Sequence, residues 1–220
     1  IDTKKRKNMI GIIDYGMGNI KSVANGIISA GGVVKLVSQP NELEDCSALI
    51  LPGVGAFAKA MENLNKADLI NPIKDIVDQG TPILGICLGM QLFAEYSEEF
   101  GVTKGLGLIE GGVIKIPEYP EIRLPHMGWN EVKQSNKQEN ILFNDVPDEG
   151  CFYFVHSFMV ETKHENVTGV VTHGSKITAS MQVNNIFATQ FHPEKSQSNG
   201  AIILRNFVKI ADANGEIQHG

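Results

Sequence analysis

No stretch of this chain approaches the roughly 20 consecutive apolar residues that a membrane-spanning helix needs. Residues 1–8 include Lys4-Lys5-Arg6-Lys7 but no apolar segment, so they do not form a secretory signal. They read as a disordered leader, with the fold starting near Met9. Positive charge is also scarce. The net charge is −6 and neither sign forms a dominant block, which argues against a nucleic-acid partner. Cysteine is sparse as well. Cys46, Cys87 and Cys151 are odd in number and widely spaced, giving neither a disulfide framework nor a zinc signature. A reducing cytoplasm is the simplest setting. There is no internal repeat and no clear linker.

What is present suits one sizeable α/β domain. The chain has 220 residues, 42% of them hydrophobic. Met9 to Ile13 predicts a buried first strand, and Asp14 to Asn19 a Gly-rich loop. Ile20 to Ala30 follows as an amphipathic helix capped by Asn19 and ended by Gly31-Gly32. Val33 to Val37 predicts a second strand, so the unit is βαβ with a right-handed crossover and a parallel sheet. The Gly16-Met17-Gly18 turn lacks the third glycine of a dinucleotide fingerprint and any Walker lysine. It reads as a tight turn or a partner-facing loop. Another strand, Ala48 to Leu51, runs into Pro52-Gly53-Val54-Gly55, and helices follow over 56–65 and 69–79. The second half is richer in strands, at 113–116, 126–132, 151–155, 167–172, 177–183 and 186–190. Asn184-Asn185 supplies a two-residue hairpin turn. A helix over 200–211 precedes a polar tail, 212–220.

The candidate chemistry centres on Gly85-Ile86-Cys87-Leu88-Gly89. A nucleophile between two glycines, entered from a strand and left by a helix over 90–96, has the pattern of a nucleophile elbow. The turn aims the Cys87 sulfur outward at a helix N-terminus, where the dipole favours thiolate. A buried cysteine that merely packs is the alternative. Phe191-His192-Pro193-Glu194 ends the last hairpin strand. Residues two apart in extended chain share a side, so His192 and Glu194 can face one target. An imidazole takes a thiol proton, and a carboxylate orients the imidazole. Backbone N–H groups of the Gly53-Val54-Gly55 loop can form an oxyanion hole.

Pro52-Gly53-Val54-Gly55, the elbow with Met90-Gln91, and His192-Pro193-Glu194 together resemble the class I (triad) glutamine amidotransferases. Asp14 to Asn19, His126-Met127-Gly128-Trp129-Asn130, Phe152 to Ser157 and Gln190 to Ser196 narrow the resemblance. Within the family they point to the glutaminase subunits of imidazole glycerol phosphate synthase, across roughly residues 9–208. The resemblance implies a three-layer α/β fold, with a largely parallel central sheet, helices on both faces and an added antiparallel section. It implies a single domain over 9–211. It also implies hydrolysis of L-glutamine to glutamate and ammonia through a thioester on Cys87, with His192 as base and Glu194 as its orienter. Leu88 and the Gly53-Val54 loop would donate to the oxyanion, the loop only after reorienting. Gly55, Gln91, Glu95, His156, Ser157 and Phe158 would hold the substrate. Asn19, Trp129, Tyr153 and Lys195 would meet a (βα)8-barrel cyclase subunit that receives the ammonia for histidine biosynthesis and switches the glutaminase on. No cofactor and no metal are implied.

Three other readings stay open. The same glutaminase chemistry would serve a paralogous barrel partner that aminates a sugar for surface polysaccharide. A non-catalytic α/β protein would keep the elbow without using it. A cysteine peptidase on the same fold is the third.

Overall fold

A computed structural model describes residues 9–135 and 140–217. The expected leader, 1–8, and the last three residues of the expected tail lie outside the described residues.

The chain alternates strands and helices through its first half: β1 (Met9–Ile13), α1 (Ile20–Ser29), β2 (Val33–Val37), β3 (Ala48–Gly53), α2 (Phe57–Lys66), α3 (Ile70–Asp78), β4 (Ile83–Cys87) and α4 (Leu88–Leu92). Strands dominate the second half: β5 (Tyr96–Ser97), β6 (Thr103–Lys104), β7 (Gly112–Lys115), β8 (His126–Gln134), β9 (Gly150–His156), β10 (Phe158–Glu161), β11 (Val167–His173), β12 (Ser175–Val183) and β13 (Ile186–Thr189). Helix α5 (Gln197–Ile217) closes the described chain.

One nine-stranded sheet has the order β2-β1-β3-β4-β13-β12-β11-β8-β9. Its pairs from β2 to β13 are parallel, and its pairs from β13 to β9 are antiparallel. A second sheet, β10-β7-β5-β6, is smaller. The expected architecture is therefore present.

Period-2 alternation explains the layers. Ile10, Ile12, Ala48, Ile50, Leu84 and Ile86 point to one face and pack with Val23 and Ile27 of α1 and Ile203, Leu204 and Phe207 of α5. Ile13, Leu49, Leu51 and Ile83 point to the other, against Phe57, Ala60 and Leu64 of α2 and Ile73 and Val77 of α3. Strands covered on both faces read as near-continuous apolar runs. Val113 and Val160 of the small sheet join this second cluster.

Several local expectations hold. The Asn19 side chain accepts from Ser22 N at 3.3 Å and caps α1. Asn184, at φ 51°, makes the turn between β12 and β13. The neighbouring Asn185 amide donates to the Val77 and Thr81 carbonyls, each at 2.8 Å. The turn is thereby tied to the approach to β4.

Two elements differ in extent. Composition after Cys87 predicts a helix reaching Tyr96, but α4 stops at Leu92. Its last carbonyls are taken by a distant loop: Leu106 N donates to Leu92 O, Leu108 N to Phe93 O, and Gly107 N to Ala94 O. Tyr96 and Ser97 then pair with β6 and β7. The final helix starts earlier and runs further than 200–211, taking in part of the expected polar tail. Asn214 donates to Ser47 O at 2.9 Å, docking that extension onto the body of the fold. Among the described residues, no helix is long and apolar enough to cross a membrane.

Candidate active site

The site lies at the carboxyl edge of the parallel strands, where ligands commonly bind in open α/β sheets. Register puts it there. Gly53 of β3 is the parallel partner of Cys87 at the end of β4. On the other side, Thr189 of β13 pairs with Ile86, so the chain leaves β13 toward Gln190 and His192 beside Cys87.

Cys87 adopts φ 55° and ψ −109°. A non-glycine residue held there is strained, and such strain is the signature of a sharp strand-to-helix turn. The two flanking glycines make the turn possible by close approach. A Cβ on Gly89 would lie 1.7 Å from the Leu51 carbonyl oxygen. A Cβ on Gly85 would lie 2.8 Å from Gly89 O. Neither position accepts a side chain without moving backbone.

The α4 that follows has only five residues, so little aligned dipole stands behind Cys87. Cys87 is the N-cap of α4, as expected, and the His192 imidazole is its charged neighbour. His192 Nδ1 lies 2.8 Å from Glu194 Oε1. Both side chains are buried, at 2% and 1% exposure, so the pair is shielded from solvent screening. With Nδ1 engaged, Nε2 is the ring nitrogen left for Cys87. It is buried and makes no hydrogen bond of its own, as is common in resting sites that tighten around substrate. Burial works against a charged His192. Its interactions with Cys87 and Glu194 together outweigh that and raise its pKa to about 9.

The His192–Glu194 pairing occurs as expected, but not by strand alternation. Residues Pro193–Lys195 form a single 3-10 turn, which curls Glu194 back under the imidazole. The segment is clamped to β9: His192 N donates to Tyr153 O at 2.9 Å, and Tyr153 N donates to Ser196 Oγ at 3.0 Å.

The other predicted residues divide. Leu88 begins α4 directly after the nucleophile, and Gly53 stands beside it. Val54 is exposed and Gly55, at φ 105°, continues the loop. Gln91 is buried, and its Nε2 donates to Phe158 O at 3.1 Å and to Gln190 Oε1 at 3.0 Å. Both of its N–H donors are thus engaged inside the protein. Glu95 does not join the cluster. It lies beyond the end of α4, where its carboxylate accepts from Gly111 N at 3.0 Å. The early end of α4 is the reason. The His156 imidazole is buried and turned inward to Phe158 O, at 2.8 Å, and to His126. Ser157 accepts from Ile116 N through its carbonyl.

Asn19, Trp129, Tyr153 and Lys195 lie near this edge. Trp129 is 49% exposed and stacks edge-on with Tyr153 at 6.1 Å, and Lys195 Nζ lies 5.8 Å from the Tyr153 ring centre. Gly18, next to Asn19, approaches the Pro52-Gly53 backbone.

Sequence reasoning misses two neighbours of the site. Gln190 Nε2 lies 3.8 Å from Cys87 Sγ; its position two residues before His192 at a strand end is the available signal. Glu99 Oε2 accepts from Phe57 N at 2.6 Å, capping α2 directly after the Gly53-Val54-Gly55 loop. Its separation of 42 residues from Phe57 leaves no local sequence signal.

The family model described as Glutamine amidotransferase class-I matches residues 11–211. "Imidazole glycerol phosphate synthase subunit hisH" of Cyanophora paradoxa is 48% identical over 202 residues, covering 91% of this chain and 93% of that protein. "Imidazole glycerol phosphate synthase subunit HisH 1" of Campylobacter jejuni is 45% identical, covering 92% of this chain and all of the relative. Among solved structures, a chain of PurLQS from Thermotoga maritima aligns with a TM-score of 0.71 at 18% identity, over 92% of this chain and 98% of that one; this likeness concerns the fold. An elbow cysteine beside a buried His–Glu pair is the arrangement that acyl transfer from a carboxamide needs, and with the match across 11–211 the chain belongs to the class I glutamine amidotransferase family.

Proposed function

We propose that this chain is the glutaminase subunit of an imidazole glycerol phosphate synthase. Cys87 attacks the side-chain carboxamide carbon of L-glutamine. His192 takes the thiol proton and returns it to the departing ammonia, while Glu194 holds the imidazole by Nδ1. Water then hydrolyses the glutamyl thioester to glutamate. The Leu88 N–H, joined by an N–H of the Gly53-Val54 loop, meets the oxyanion. The remaining backbone of Gly55, Ser157 and Phe158, with the Gln91 amide oxygen, lines the binding site. The observation that carries this reading is Cys87 held in a strained elbow beside the buried His192–Glu194 pair. Names of the relatives, at 45–48% identity over nearly the whole chain, support the pathway.

Ammonia released into solvent would be lost or protonated. The partner in this reading is a (βα)8-barrel cyclase docked over Asn19, Trp129, Tyr153 and Lys195, in the cytoplasm, with its lumen receiving the ammonia. The test is glutamine turnover of the full chain with the barrel cyclase and its ligand, and with a sugar-aminating barrel as comparison. Stimulation by the cyclase alone is expected, with Cys87→Ala abolishing turnover while the complex still forms. Full activity in Cys87→Ala would refute the mechanism, and stimulation only by the sugar-aminating barrel would refute the pathway.

A further inference from the structure

The hydrogen-bond chain behind Cys87 has a direction that can be worked out from its ends. A backbone carbonyl only accepts. His156 Nδ1 must therefore donate to Phe158 O, at 2.8 Å. A neutral His156 then accepts at Nε2, and His126 Nδ1 donates to it at 2.9 Å. That leaves His126 Nε2 to accept from Asn130 Nδ2 at 3.1 Å. The second Asn130 N–H goes to Thr172 O at 3.0 Å. Every member of this branch is satisfied in one arrangement only.

The same Phe158 carbonyl fixes the other branch. It accepts from Gln91 at 3.1 Å, so the end of Gln91 facing it is the NH2. The same nitrogen faces Gln190 at 3.0 Å, and two NH2 groups cannot bond, so Gln190 presents its oxygen there. The Gln190 NH2 is then turned to the far side, 3.8 Å from Cys87 Sγ. Gln190 is wholly buried and Gln91 nearly so, and no solvent-exposed alternative competes for these groups.

The surroundings give that NH2 a task. The Val155 carbonyl oxygen lies 4.0 Å from the sulfur. It offers a thiol an acceptor and turns a lone pair toward a thiolate. His192 faces the sulfur from the segment after β13, with Glu194 and His156 behind it. Tyr15 approaches from the loop after β1, and its hydroxyl donates to Pro52 O at 2.9 Å. An amide NH2 can donate to sulfur but cannot take its proton, so it does not compete with His192 as base.

We propose that Gln190 is a donor to the nucleophile: its NH2, turned toward Cys87 by Gln91 and the Phe158 carbonyl, stabilises and aims the Cys87 thiolate. This rests on Cys87 being the nucleophile. The test needs neither glutamine nor a partner, so its outcome is separate from that of the glutaminase assay.

The chain is alkylated with iodoacetamide across a pH series, and modification is read at the Cys87 peptide by mass spectrometry, since Cys151 is exposed whereas Cys87 is buried. Gln190→Met removes the donor and is expected to slow Cys87 alkylation at neutral pH by about tenfold, as for a weak hydrogen bond to a charged group, and to move the profile to higher pH. Gln190→Glu keeps the shape of the side chain but presents only oxygen to the sulfur. It is expected to shift the profile further in the same direction, and it carries the test if the methionine variant does not fold. Wild-type profiles in both folded variants overturn the proposal. A uniformly lower rate with an unshifted profile also overturns it, because that is what a purely structural role would give.

Discussion

Glu194 acts through a single oxygen. Oε1 holds His192 Nδ1, while Oε2 is buried without a hydrogen-bond partner. Glu194→Gln keeps the volume but removes the charge that favours imidazolium and permits the wrong tautomer. Turnover is expected to fall by about 10²- to 10⁴-fold, as in other nucleophile–His–acid sites, with little change in thermal midpoint. Loss of less than tenfold in a kcat measurement would remove Glu194 from the triad. The histidines also set a pH dependence of stability. Burial lowers His126 to about 3 and His156 to about 4, with the Phe158 carbonyl partly offsetting it at His156 and His173 adding to it at both. Between about 4 and the ordinary value of 6.5, the unfolded chain binds protons that the folded chain refuses, so stability falls on acidification across that window. His192 has the opposite sign. Raised to about 9, its contribution is complete below 6.5 and is lost as pH rises through 9. Urea midpoints from about pH 4 to 9 should decline on both sides, and His126→Gln should flatten the acid limb. An acid limb of equal slope in that variant would contradict the assignment.

At the scale of elements, the site depends on the register of two parallel strands that are distant in sequence. Ile186 pairs with Ile83 and Thr189 with Ile86, which brings Gln190 and His192 level with Cys87. Asn185 guards that register through its two bonds to the end of α3 and the entry to β4. Asn185→Ala leaves the Val77 and Thr81 carbonyls without these donors and is expected to destabilise the fold by about 1–3 kcal/mol, measured by denaturant unfolding. A change within about 0.3 kcal/mol would show that water replaces the amide at no loss. The β1–α1–β2 unit and the hairpin turn are legible because their signals are local: an N-cap asparagine, a double glycine and two asparagines between β-rich runs. The end of α4 is not legible. Residues 93–96 have good helical composition, and a loop ten or more residues away takes the carbonyls that further turns would need.

Across the whole molecule, exposed apolar groups are scattered, from Ile28, Val33 and Leu36 to Phe100 and Val102, and a few of them accompany the chemistry. Val54, Met127 and Trp129 are 42%, 62% and 49% exposed, and Trp129 stacks with Tyr153 beneath Lys195. Tryptophan and tyrosine that stay open at a surface suit an interface better than a core. The proposed cyclase would cover the edge that carries the site and close the path for ammonia. Trp129→Ala is expected to weaken association by about 2 kcal/mol, roughly 30-fold in Kd, by titration calorimetry with the cyclase subunit. An unchanged Kd would place the docking face elsewhere. Strand β8 presents Trp129 outward and His126 inward, so one element carries both a residue of the proposed docking edge and one member of the buried histidine pair.

Local pattern is enough to predict the alternating first half, its parallel strands, and a candidate nucleophile and base, whereas the layers are what the family resemblance implies. The local predictions follow from short-range constraint: period-2 burial, caps, and glycines where no Cβ fits. Which polar groups face Cys87 is a matter for the folded chain. Tertiary packing turns Glu95 away to Gly111, draws Gln190 in, curls Glu194 under His192 by a 3-10 turn, and orients two glutamine amides through one backbone carbonyl. Those outcomes depend on strand register and on competition for hydrogen-bond partners tens of residues apart, which no local pattern encodes.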